Sequence, residues 1–189
     1  MPKLVFCFVL CAAALTASPS ATTATSEGPS ATEALLAPGS SYLLTTIARY
    51  RRETWHWQRL MGKRRTPTAF DARETRKPSY RRWIRDLWLR RAERARRAAQ
   101  RPPHLRHWLC IYRHERHPGQ GWRTRTGNGY YGGLQMDLAF QRRYAPWLLR
   151  RKGTANRWSP VEQIWVAERG RKVQGWYAWP NTARMCGLI

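Results

Sequence analysis

The chain has 189 residues, enough for one domain or one small domain with appendages. Thirty-five Lys and Arg against eleven Asp and Glu give a formal charge of +24, and all but five of the basic residues are Arg. That balance excludes an acidic or near-neutral protein and favours an anionic partner, while eleven Trp exclude a wholly disordered basic chain.

The chain opens with Lys3, a twelve-residue apolar run from Leu4 to Leu15, and the small residues Thr16, Ala17 and Ser18. This is the layout of a secretory signal, expected to span residues 1–17. The run is shorter than the ~20 residues that a spanning helix needs. Cys7 and Cys11 would leave with it. Cys110 and Cys186 remain, and an oxidising, extracytoplasmic setting favours their pairing. Closing a loop of about 75 residues contributes on the order of 4 kcal/mol in the loop-entropy picture. Two buried free thiols are the alternative.

Residues 18–41 are mostly Ser, Thr, Ala, Pro and Gly, and read as a flexible linker. From Tyr42 to Leu60 the apolar residues recur at three and four residue steps, which predicts a helix. Residues 62–79 carry breakers and charge and predict a loop. Ser79 is placed to cap a second helix, Tyr80–Gln100, whose Arg/Ala tail has little to bury. Pro102-Pro103 ends it and marks a boundary. Residues 42–104 are thus read as a basic helical arm. Its expected role is either a solvated arm or an electrostatic tether to an anionic surface. Binding of nucleic acid through interleaved Trp and Arg is a weaker option, disfavoured by the secretory signal.

From Leu105 the texture changes. Leu105, Trp108, Leu109, Ile111 and Tyr112 predict a short buried helix over 105–115, ending at Glu115 before a loop rich in Gly and Pro. Four glycines between Gly127 and Gly133 surround Tyr130 and Tyr131, and Asn128-Gly129 is a strong turn signal. Residues 134–149 read as helical. Ser159, Pro160 and Glu162 form a capping-box layout at the start of a helix over 160–170. An aromatic tail, Gly175 to Pro180, leads to Cys186.

The block from Trp108 to Gly187 resembles the resuscitation-promoting-factor-like, or transglycosylase-like, domain of actinobacterial cell-wall proteins. The residues that carry the resemblance are Thr126-Gly127-Asn128-Gly129-Tyr130-Tyr131-Gly132-Gly133-Leu134-Gln135, then Glu162–Ile164 and Val166–Arg169, then Gly175-Trp176 and Ala178-Trp179-Pro180 before Cys186-Gly187. The resemblance implies a mostly α (α+β) chain: a small lysozyme-like domain over 105–189, preceded by the Arg-rich helical arm. It implies secretion, or association with the cell wall, and action on peptidoglycan glycan strands.

It also implies a single Glu as general acid, at the position of Glu115. The usual pattern has Cys just before that Glu. Here His114 precedes it and Cys110 lies five residues upstream, but positions 110 and 114 share a helix face. The loop from Glu115 to Trp122 is longer and more basic than usual. A carboxylic acid at a helix end, walled by Trp and Tyr, is suited to protonating a glycosidic oxygen. Arg113 and Arg116 must point away from it.

The expected substrate contacts are Trp122, Tyr130, Tyr131, Gln135, Asp137 and Gln163. Aromatic faces suit sugar rings, and Gln can bond an N-acetyl group in both directions. Asp137 is placed either in the cleft or as a helix cap. Glu162 is expected to cap its helix and Glu168 to pair with an Arg.

No cofactor and no metal are expected. His114 and His117 are three residues apart, whereas a zincin helix needs four. The expected partners are peptidoglycan strands and, through the arm, anionic wall polymers. The alternative reading is a non-catalytic wall-glycan-binding module using the same cleft.

Overall fold

The computed structural model describes residues 38–68, 75 and 77–189. The signal, residues 18–37 of the linker and residues 69–74 and 76 of the arm's loop lie outside these described residues. Among the described residues no helix is long and apolar enough to cross a membrane.

The architecture is mostly helical with one two-stranded sheet, as expected. Two long helices come first, α1 (Pro38–Leu60) and α2 (Pro78–Ala99). They are followed by α3 (Leu105–Glu115), β1 (Tyr130–Tyr131) and β2 (Met136–Asp137). Four further helices complete the chain: α4 (Leu138–Tyr144), α5 (Pro146–Lys152), α6 (Pro160–Gln174) and α7 (Pro180–Met185).

Some local boundaries differ from the sequence reading. Helix α1 begins at Pro38, inside the stretch read as linker. Pro78, not Ser79, opens α2, because proline's fixed φ suits the first helical turn; the cap position is Lys77. Residues 134–149 are not one helix. Met136 and Asp137 are a strand, and the helical part breaks at Ala145, whose φ of −147° precedes Pro146. Helix α6 runs past 170 to Gln174 and ends at Gly175, which has φ of +65°.

Helices α1 and α2 pack as a hairpin around Ile47, Ile84 and Trp88. Trp55 meets Trp88 edge to face at 6.1 Å. The Arg/Ala tail of α2 does bury a face: Ala92, Ala95 and Ala99 are buried, their small side chains permitting close approach.

The hairpin is no detached appendage. Leu60 is fully buried in the same core as Trp108, Ile111, Leu134 and Val166. The Trp165 indole N–H donates to the Ala99 carbonyl at 2.8 Å. The Arg169 guanidinium donates to the carbonyls of Tyr144 (3.1 Å), Leu60 (3.2 Å) and Arg59. A cation there also complements the negative C-terminal end of α1.

Helix α6 is the axis of the C-terminal part. Residues 162–168 are all buried, so two carboxylates enter the core with it. Each is compensated, as buried charge requires. Glu162 completes the capping box with Ser159 and accepts from Lys152 Nζ at 2.7 Å and His56 Nε2 at 3.3 Å. Glu168 pairs with Arg171 at 2.6 Å and accepts from the Trp108 indole at 3.0 Å. Both acids therefore hold the roles expected of them. Burial by itself would raise the Glu162 pKa; the bonds from His56, Lys152 and Ser159 outweigh it and hold it at about 2.

Candidate active site

Helix α3 delivers Glu115 as its last residue. Arg116 leaves the helix with extended backbone, so the carboxylate stands at a helix end. Trp108 and Ile111, two turns and one turn before Glu115 on the same side of α3, are buried and fix its roll. Cys110 is disulfide-bonded to Cys186, with Cα atoms 6.0 Å apart, which pins the end of α7 to α3.

The facing wall is the Gly/Tyr hairpin. Strands β1 and β2 are antiparallel, with Tyr130 opposite Asp137 and Tyr131 opposite Met136. Asn128 Oδ1 accepts from the Tyr130 N–H at 3.1 Å and closes the turn between Gly127 and Gly129, both at positive φ. Gln135 has φ of +48°, a left-handed backbone unusual outside glycine, and its side-chain amide donates to the Gly132 carbonyl at 2.7 Å.

Together with the start of α7 these elements enclose an open cleft of about 330 Å³. Its lining is Glu115, Asn128, Tyr130, Gln135 and the run Ala178-Trp179-Pro180-Asn181. Among the described residues Glu115 is the one carboxylate in that lining. Burial raises its pKa. The hydrogen bond from Thr182 and the charge of His114 oppose the rise without cancelling it. Arg116 lies over the Tyr112 ring, and Arg113 Nε reaches back to the Leu109 carbonyl at 3.4 Å.

The other expected contacts divide. Tyr130 and Gln135 are in the cleft, and Tyr130 is exposed. Tyr131 is half-buried and packs on the core. Trp122 stacks on Tyr112 with centroids 4.0 Å apart and lines a different hollow, beside Arg123, Lys152 and Arg157. Asp137 caps α4, accepting from the Phe140 N–H at 2.6 Å, which is the second of its two sequence readings.

Gln163 requires a correction. Its side chain is fully buried and makes three hydrogen bonds, to the Gly133 N–H and to the carbonyls of Trp122 and Trp158. Every polar direction within reach is used on the protein's own backbone, so it ties the loop before the hairpin to α6. The residues that sequence reasoning missed are Asn128, Asn181 and Thr182. For Asn128 the Asn-Gly turn was the signal, and for the other two only their nearness to Trp179-Pro180.

His114 lies beside the disulfide, with its ring and the two sulfurs within 4.8 Å of one another. Sulfurs bonded to each other are not thiolate ligands, so this trio does not form a metal centre.

Residues 106–182 match the family described as transglycosylase-like domain. Within that region the chain is 37% identical over 67 residues to resuscitation-promoting factor Rpf of Micrococcus luteus, covering 35% of this chain and 28% of that protein. It is 39% identical over 70 residues to Rpf1 of Corynebacterium glutamicum, covering 37% and 35%. It is 41% identical over 66 residues to RpfE of Mycobacterium tuberculosis, covering 35% and 36%. The aligned region is thus about a third of the length of these relatives.

Proposed function

We propose that this chain, with its transglycosylase-like region over 106–182, is a secreted enzyme that cleaves peptidoglycan glycan strands during wall remodelling or resuscitation. The observation that carries this reading is Glu115, a carboxyl group with its pKa raised by burial, at the floor of an open cleft with an exposed Tyr.

In the proposed reaction a glycan lies across Tyr130, and Gln135 and Asn181 offer amides to its N-acetyl groups. Protonated Glu115 gives its proton to the glycosidic oxygen as the C1–O bond breaks and positive charge builds on the muramic-acid ring. The leaving sugar departs as an alcohol. Glu115, now a carboxylate, takes the proton from the same ring's own primary hydroxyl, whose oxygen bonds to C1 and gives an anhydro product. Capture by water instead would give a reducing end. The anhydro route is favoured because it asks for one carboxylate, and Asp137 is engaged as a helix cap. The Arg-rich hairpin is assigned to contact with anionic wall polymers, an attraction that salt weakens.

Mass spectrometry of the soluble products from purified peptidoglycan tests this, with wild type and Glu115→Gln in parallel. Anhydro-muropeptides that vanish in the variant support the reading. Reducing-end products would replace the anhydro route with hydrolysis. Wall binding without any release from the wild type would overturn the enzyme and leave a binding module.

A further inference from the structure

A further hollow, of about 180 Å³, lies where α1 meets α5. Four guanidinium groups line it: Arg52, Arg59, Arg65 and Arg151. Among the described residues none of the four forms an ion pair. The nearby Glu162 is already committed to His56 and Lys152. Arg59 and Arg65 are held over indole faces, at 4.8 Å from the Trp147 ring and 5.4 Å from the Trp55 ring. Like charges have therefore been gathered without an anion to offset them. Arg59 responds to this: burial, then the charges of Arg65 and Arg150, lower its pKa.

The walls of the hollow are aromatic. Trp147 Nε1 and His56 Nδ1 are buried polar atoms with no hydrogen-bond partner, and both residues line this hollow. Trp147 is only 9% exposed. The other core indoles of Trp108, Trp158, Trp165 and Trp179 each donate to an oxygen. Both atoms are closed off from the hollow itself, so an anion there would be held by the guanidinium groups, two of which the indole faces position.

We propose that this junction binds a phosphate mono- or diester. Several guanidinium forks ask for more acceptor oxygens than a carboxylate has, and a tetrahedral phosphate supplies them. The open shape suits a phosphodiester unit of a flexible polymer. The proposal gives the polymer-contact reading of the hairpin a specific seat, and it does not depend on Glu115.

The test is calorimetric titration of the full chain at fixed ionic strength with inorganic phosphate, poly(glycerol phosphate) and acetate. Saturable phosphate binding, tighter than acetate, is expected. Arg59→Gln with Arg65→Gln should weaken it by on the order of tenfold or more. Arg82→Gln with Arg90→Gln, an equal loss of charge at exposed positions of α2, should change it less than about twofold. Trp147→Phe should weaken it with no change in charge. Because that variant touches the core, the Arg pair serves as the independent check.

Equal weakening by both Arg pairs means diffuse attraction and overturns the site, as does phosphate binding no tighter than acetate or no saturable binding. Inorganic phosphate binding without polymer binding would keep the site and assign it to small phosphate esters. Glu115→Gln should bind phosphate as wild type does, so failure of the glycan-cleaving reading and failure of this one are separable.

Discussion

Thr182 Oγ1 donates a hydrogen bond to Glu115 Oε1 at 2.9 Å, joining residues 67 positions apart in the chain. The bond favours the charged carboxylate and so opposes the rise in pKa caused by burial. Thr182→Val removes the donor at nearly constant volume. The Glu115 pKa should rise further, and the protonated acid should persist to higher pH. The alkaline limb of the kcat/KM profile for glycan release should move upward. An unmoved limb would show that Glu115 is not the group whose protonation limits the reaction.

Asp137 separates two chemistries. As a cap for α4 it should tolerate Asn, which retains the accepting oxygen, whereas Ala should cost about 1 kcal/mol. Thermal melts of Asp137→Asn and Asp137→Ala check this. Product release by Asp137→Asn should stay within a few fold of wild type. A loss of a hundredfold or so in that variant, with its melt unchanged, would make Asp137 the second carboxylate of a hydrolase.

Glu162 makes stability depend on pH. Its pKa is held at about 2 against an ordinary 4.5, despite burial, by its bonds to His56, Lys152 and Ser159. A depressed acid contributes stability that is present above 4.5 and lost as pH falls through about 2. The gap corresponds to about 3 kcal/mol. Glu162→Gln should therefore lower Tm most at pH 5–7, and the difference from wild type should close towards pH 2. A difference constant with pH would mean that packing, not charge, sets the cost.

Gly133 is needed for its lack of a side chain. A Cβ there would come within 2.6 Å of Tyr112 Cδ2 and 2.9 Å of Trp122 Cε3. Gly133→Ala should pry apart the Tyr112–Trp122 stack and cost about 1–3 kcal/mol. Denaturant melts measure the loss, and near-ultraviolet circular dichroism reports the altered stacking. A neutral substitution would show that the stack is free to slide.

The sequence made visible what is local or carried by motif. The capping box at Ser159–Glu162, the Gly/Tyr turn and the helix ending in Glu115 are written in adjacent residues. The break at Ala145 was also visible, because Pro146 disfavours helical backbone in the residue before it, but the apolar pattern of 134–149 masked it. What could not be read were partners far apart in the chain. Nothing near Ala99 announces that its carbonyl accepts from Trp165, or that Leu60 completes a core whose other members lie beyond residue 107. In the sequence Gln163 reads as a substrate contact, since its three backbone partners lie on segments distant in sequence or not recognisable as neighbours.

The contacts of Trp165 with Ala99 and of Arg169 with the end of α1 also bear on how the molecule can be cut. A chain severed between residues 101 and 104 would leave two pieces with complementary scars: a hairpin ending in unsatisfied carbonyls, and a helical remainder exposing the indole and guanidinium that matched them. Such pieces have the ingredients for reassembly in trans. Co-refolded, they should recover as a split protein what neither half holds alone.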